Sequence, residues 1–278
     1  MQTLSTHRCF GGTLGYYKHA AASTRCDMRF TAFVPPQCAG GTKRPALIFL
    51  SGLTCTEDNF TVKGGAYRMA AELGLIIIAP DTSPRGDGVA VGEGGVVGLG
   101  AGFYVDATHE PWAAHYRMES YVSEELHTFV AQQFPVDADR IGLFGHSMGG
   151  HGALTLFLKH PGQYRSVSAF APICAPSQSP LWGQKALSQY MGPDEEAWKA
   201  HDASQLLLKR GPVDAPILID QGMQDPFLDR LHPHLFEQAA ATVGQKLTLR
   251  RHEGYDHGYF FIQSFIADHL RHHSDQMP

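Results

Sequence analysis

Arg140-Ile141-Gly142-Leu143-Phe144-Gly145-His146-Ser147-Met148-Gly149-Gly150-His151-Gly152-Ala153-Leu154 is the stretch that decides the fold. An apolar run, Arg140 to Phe144, meets a helix-like stretch, Gly150 to His160, through the pentapeptide Gly145-His146-Ser147-Met148-Gly149. Between a strand and a helix, G-x-S-x-G forms a nucleophile elbow. Lacking Cβ atoms, its glycines let strand and helix approach closely enough to hold a serine at the apex in a strained conformation. There the hydroxyl is exposed, and Met148 opens a helix whose positive end can steady a developing oxyanion. Ser147 is therefore the candidate nucleophile. Without that setting, the same letters describe only a glycine-rich turn with a capping serine.

Outward from the elbow, short β-rich runs alternate with helical patterns. Arg29 to Pro35 reads as an early strand. Ala46-Leu47-Ile48-Phe49-Leu50 and Leu75-Ile76-Ile77-Ile78-Ala79 are continuous apolar runs, as strands buried on both faces require. Ala66 to Leu73 and Glu119 to Phe134 carry apolar residues at helical spacing. Ser166 to Ala171, Pro216 to Asp220 and Leu247 to His252 read as strands, and Leu231 to Val243 and Phe260 to His272 as helices. This alternation predicts an α/β protein with a mostly parallel central sheet and helices on both faces. In such sheets chemistry collects at the carboxyl ends of the strands. With no repeat, charge block or long linker, a single domain over residues 1–278 is expected. Gly86 to Gly102, rich in glycine, reads as a long loop beside the site, a lid, or a surface insertion without function.

Composition narrows the function. With 43% hydrophobic and 18% charged residues, the chain is globular, not disordered. Its net charge of −5 and scattered Lys and Arg argue against nucleic acid or an anionic membrane as partner. The five cysteines, Cys9, Cys26, Cys38, Cys55 and Cys174, are widely spaced and form no C-x-x-C pair, which points to neither a disulfide framework nor a zinc ribbon. Met1 to Arg8 lacks an apolar signal core and no run reaches 18 apolar residues, so a cytoplasmic, reduced protein is expected. His232, His234, His272 and His273 read as surface residues rather than metal ligands.

A serine nucleophile needs a base, and the base needs an orienting acid; in the α/β-hydrolase order these follow as Ser, Asp or Glu, then His. His257, in Glu253-Gly254-Tyr255-Asp256-His257-Gly258, lies just after one strand and just before the last helix, and is the candidate base. His252, inside or at the end of the strand, is the competitor. Asp225, in the turn Gln221-Gly222-Met223-Gln224-Asp225-Pro226-Phe227, is the candidate acid. Asp220 is still in the strand, where an inward carboxylate is costly. Asp229 suits a helix cap, and Asp256 is too close in sequence to pair with His257 easily. Ser51-Gly52-Leu53-Thr54-Cys55-Thr56 follows directly after a buried strand, which makes the Leu53 N–H the natural oxyanion donor beside that of Met148. Cys55 is a small buried hydrophobe or part of the pocket wall.

Together these segments resemble the S-formylglutathione hydrolase, or esterase D, family. The resemblance rests on Leu50 to Thr56, Pro80-Asp81-Thr82-Ser83-Pro84-Arg85-Gly86, Gly100 to Thr108, Gly145 to Leu154, Trp182-Gly183-Gln184-Lys185-Ala186 and Gly254-Tyr255-Asp256-His257, in family order. It implies an α/β-hydrolase fold and a cytosolic serine thioesterase that splits S-formylglutathione into glutathione and formate without metal or organic cofactor. It further implies a Ser147, Asp225 and His257 triad and an oxyanion hole from Leu53 and Met148. Trp182, Cys55 and His146 become substrate-binding candidates, and a homodimer the expected assembly. The chain departs from the family at Gly95-Val96-Val97-Gly98-Leu99-Gly100, which lacks the usual acidic and aromatic pair, and at Gly258, where the family has Ser before Tyr259.

Overall fold

In the computed structural model, which describes residues 1–92 and 95–278, the apolar runs become the middle of a nine-stranded sheet. Its strands are β1 (Gln2–Cys9), β2 (Gly12–Ala21), β3 (Cys26–Val34), β4 (Arg44–Leu50), β5 (Ile76–Pro80), β6 (Val136–His146), β7 (Ser166–Phe170), β8 (Ile217–Gly222) and β9 (Leu247–His252). They lie in the order β1-β2-β3-β5-β4-β6-β7-β8-β9. Every residue of β5, β7 and β8 is buried, as strands of a helix-covered parallel sheet should be. From β5 to β9 all neighbours are parallel, whereas β1, β2 and β3 pair antiparallel and β3 joins β5 antiparallel.

The helix Met148–Lys159 packs on β4, β6 and β7, and the last helix, Tyr259–Asp275, packs on β7 and β8. They take opposite faces, because alternate residues of a strand point to opposite sides. On β7, Ser166 and Ser168 meet the last helix, while Ala169 sits beneath Gly150 of the elbow helix. The layering is that of the α/β-hydrolase fold.

Several expectations need correction. The early strand begins at Cys26 rather than Arg29 and follows a hairpin, β1–β2, that no apolar run announces. β1 is an exposed edge, and β2 mixes buried with half-exposed residues. The helix expected from Leu231 starts at Pro233, because His232 at φ 54° separates it from a short turn, Leu228–Leu231. A helix at Glu57–Lys63 was not anticipated; Thr56 caps it, accepting from Asp58 N at 3.2 Å while its own N–H donates to Asn59 at 2.9 Å.

His273 is not a surface residue. It is fully buried, with Nδ1 2.6 Å from Ser166 Oγ and Nε2 2.8 Å from Ser168 Oγ. His272 is half-buried and reaches the Val167 carbonyl at 3.0 Å. Asp220 does point into the interior, and its cost is offset by partners. Arg250 grips both carboxylate oxygens at 2.6 Å, and His269 Nε2 lies 3.3 Å away. Burial opposes the charged form, yet hydrogen bonds from His269 and Arg250 outweigh it and hold the Asp220 carboxyl well below the usual range. His269 Nδ1 continues the chain to Ser168 Oγ at 2.8 Å. None of these side chains lines the cavity described next. The five cysteines are all free thiols.

Candidate active site

Gly145 and Gly149 make the turn after β6 sterically possible. A Cβ on Gly149 would lie 1.9 Å from the Leu50 carbonyl oxygen, and one on Gly145 would lie 2.2 Å from the Gly149 oxygen. Between them Ser147 takes φ 58° and ψ −117°, a conformation that costs on the order of 1–3 kcal/mol for a residue with a side chain. Backbone bonds hold it there. Its N–H donates to Phe170 O at 3.0 Å, and its carbonyl accepts from His151 N at 3.0 Å and Ile173 N at 3.2 Å.

Leu50 of β4 lies opposite Gly145 of β6 in parallel register. Three residues beyond each stand Leu53 and Met148. The turn after β4 presses on the serine: a Cβ on Gly52 would sit 3.1 Å from Ser147 Cβ. The turn is fixed by Cys55 N donating to Gly52 O at 3.3 Å and Thr54 N donating to Gly100 O at 2.8 Å. Among the described residues, neither the Leu53 nor the Met148 N–H donates a hydrogen bond. Two unused donors beside a nucleophile can receive an oxyanion.

Asp225 follows β8. Its Oδ1 accepts from Phe227 N at 2.8 Å, and its Oδ2 accepts from Gln221 Nε2 at 3.1 Å. His257, between β9 and the last helix, places Nδ1 2.6 Å from the same Oδ2. The Asp225 side chain is wholly buried and that of His257 nearly so, the arrangement that fixes an imidazole tautomer. Asp256 instead accepts from Gly258 N at 2.8 Å, and His252 stacks on Phe265 at 3.7 Å between ring centres.

Ser147 and His257 open onto one cavity of about 220 Å³, whose lining includes Leu53 and the three substrate-binding candidates Cys55, Trp182 and His146. Phe227 and Tyr259 complete it and were missed; their only signal in the sequence is adjacency to Asp225 and His257. Phe227 stands edge-on to His257 at 5.1 Å and against Trp182 at 4.9 Å, with the Arg230 guanidinium 5.2 Å from the Trp182 ring. His146 lies 4.5 Å from His257, ring to ring; burial first, and the charge on His257 second, push it well below the usual histidine range. It is neutral at pH 7. Burial also pushes the Cys55 thiol up, so it stays protonated beside the serine.

The described part of the glycine-rich loop is tied to the site. Besides the Thr54–Gly100 bond, Gly100 N donates to Ser83 Oγ at 2.8 Å and Gly98 N to the Tyr190 hydroxyl at 2.8 Å. Gly95 to Gly100 holds no acidic or aromatic side chain, and these bonds run from its backbone. The part of the Gly86 to Gly102 loop at 93–94 lies outside the described residues.

A family model described as "Putative esterase" matches residues 21–272. The chain is 52% identical to an S-formylglutathione hydrolase of Mus musculus, over 99% of this chain and 98% of that one. It is 50% identical, with the same coverage, to an S-formylglutathione hydrolase of Paracoccus denitrificans. Among solved structures, an S-formylglutathione hydrolase from Agrobacterium tumefaciens superposes with a TM-score of 0.97 at 46% identity, covering 100% of both chains. A ferulic acid esterase at 17% identity and a TM-score of 0.72 shares the fold.

Proposed function

Because the chain belongs to the esterase family and to its S-formylglutathione hydrolases, we propose that it is a cytoplasmic serine thioesterase converting S-formylglutathione to glutathione and formate in formaldehyde detoxification. The observation that carries this reading is a single one. Ser147, the Asp225–His257 pair and the Gly52–Leu53 turn meet at one small cavity in a chain that matches these enzymes end to end.

His257 Nε2 takes the Ser147 proton as Oγ attacks the formyl carbon. The tetrahedral oxyanion rests on the Leu53 and Met148 N–H groups. Its collapse breaks the C–S bond, and glutathione leaves as thiol with the proton from His257. Water then attacks the formyl-serine, giving a proton to His257; the C–Oγ bond breaks, Ser147 recovers its proton, and formate departs. Asp225 holds the imidazole tautomer and stabilises the imidazolium without itself becoming protonated. His146, neutral and pressed against His257, adds no opposing charge. Trp182, Cys55 and Tyr259 wall the cavity that would receive the acyl end. Residues 1–278 act as one catalytic domain, paired in a homodimer, which sedimentation equilibrium would test.

The altered Gly95 to Gly100 loop favours a second reading, a general short-chain carboxylesterase. Steady-state kinetics separate the two. A thioesterase should show kcat/KM for S-formylglutathione at least ~100-fold above that for 4-nitrophenyl acetate, and the reverse preference would overturn the thioesterase assignment.

A further inference from the structure

A second, larger hollow of about 690 Å³ begins where the active-site turn ends: Cys55 lines the Ser147 cavity, and Thr56 and Glu57 line this one. The shared wall is held by the Cys55 carbonyl, which accepts from Thr82 Oγ1 at 2.5 Å and Arg85 Nη2 at 3.3 Å. The hollow is strongly charged, and most of its charges are already matched. Arg85 Nε lies 2.7 Å from Asp81, Lys18 lies 2.7 Å from Asp27, and the Tyr16 hydroxyl donates to Asp58 at 2.7 Å. Two opposite charges remain. Glu57, only 7% exposed, is bonded by its own backbone N–H and feels Arg29 and Arg85 at a distance, but no cation touches its carboxylate among the described residues. Arg29, exposed on β3, makes no side-chain hydrogen bond or ion pair among those residues.

A recessed carboxylate with no cation in contact is costly to keep charged: burial, with Asp81 second, pushes the Glu57 carboxyl up, and its own N–H and the more distant Arg29 and Arg85 do not offset that. An ammonium brought to Glu57 relieves that cost, and Arg29 offers a carboxylate a forked partner. The hollow is thus complementary to an α-amino-acid zwitterion. We propose that it is the subsite for the γ-glutamyl end of the glutathionyl thioester, with Glu57 receiving the α-ammonium and Arg29 the α-carboxylate. The assignment rests on the thioesterase reading above. The two hollows are lined by consecutive residues, Cys55 on one side and Thr56 and Glu57 on the other, and the γ-glutamyl α-carbon of the substrate extends up to about 9 Å from its sulfur. The glycyl end of the tripeptide is left to solvent.

The test compares S-formylglutathione with 4-nitrophenyl acetate, which has no γ-glutamyl group, on wild type, Glu57→Gln and Arg29→Gln. Each substitution should lower the ratio of the two kcat/KM values about tenfold, chiefly through KM for the thioester, as loss of one charge-assisted contact does. An S-formyl thioester of desamino-glutathione should be hydrolysed about tenfold less well by wild type, with no further loss in Glu57→Gln. If wild type prefers S-formylglutathione and both variants keep its ratio, the subsite is wrong while the thioesterase reading stands. If wild type shows no such preference, both fall. Calorimetric titration with L-glutamate and with glutathione distinguishes the sources of the zwitterion: binding of glutamate alone would overturn the assignment.

Discussion

Ser147 has the φ and ψ of an elbow, and in the proposed mechanism it is the nucleophile. Ser147→Ala should lower kcat by on the order of 10⁵-fold or more with the circular dichroism spectrum unchanged. Asp225→Asn should lose about 10⁴-fold, because the amide favours the wrong imidazole tautomer, while Asp229→Asn and Asp256→Asn stay within a few fold. An inverted ranking would move the acid elsewhere. The triad candidates and the turn after β4 were legible because each follows a strand closely, so order along the chain translates into position over the sheet edge. His273 was misread for the opposite reason. Near the end of the sequence it resembles a tail residue, and its partners, Ser166 and Ser168, lie more than a hundred positions earlier. A single strand position likewise says nothing of Arg250, which makes Asp220 tolerable.

Among the elements, β8 and the last helix are joined by charge as well as by apolar packing. Asp220→Asn removes the buried charge that Arg250 and His269 face, and should cost about 3 kcal/mol of unfolding free energy. Urea denaturation would show a lower midpoint at similar slope; an unchanged midpoint would mean that Arg250 is satisfied by Asp268, 2.8 Å away. The Ala46–Leu50 part of β4, β5 and the Ile141–Phe144 part of β6 were legible because burial on both faces makes them apolar. By contrast β9, an edge strand with Arg250, Arg251 and no fully buried residue, was legible only from its place in the strand–helix alternation. The β1–β2 hairpin was not, since an exposed edge strand needs no apolar pattern and its pairing is set by β3. The helix Glu57–Lys63 hid behind a capping box at Thr56 that its short length gave no reason to seek.

Over the whole molecule, buried neutral histidines set the response to acid. Burial first lowers His146, His269 and His273, and takes His151 to about 3 and His201 to about 4. Unfolded, each titrates near 6.5. Between these values the unfolded chain binds more protons, so stability falls as pH drops below about 6.5, by up to roughly 1.4 kcal/mol per pH unit for each such histidine. Glu119, held near 2 by His160 and Lys159 against the penalty of burial, adds to the loss only below about pH 4. Calorimetric scans at pH 7.5 and 5.5 should show a clearly lower Tm at 5.5; equal values would mean that these rings are solvated. The pairing of Leu50 with Gly145 has a consequence for heat as well. Both proposed oxyanion donors sit three residues past that pair, so strand registry acts as the ruler for catalysis. A slip of one residue would move one donor by about 3.3 Å, beyond any hydrogen bond. Catalytic competence therefore has no loosened intermediate to survive in, and the inactivation curve should coincide with the melting curve of the sheet.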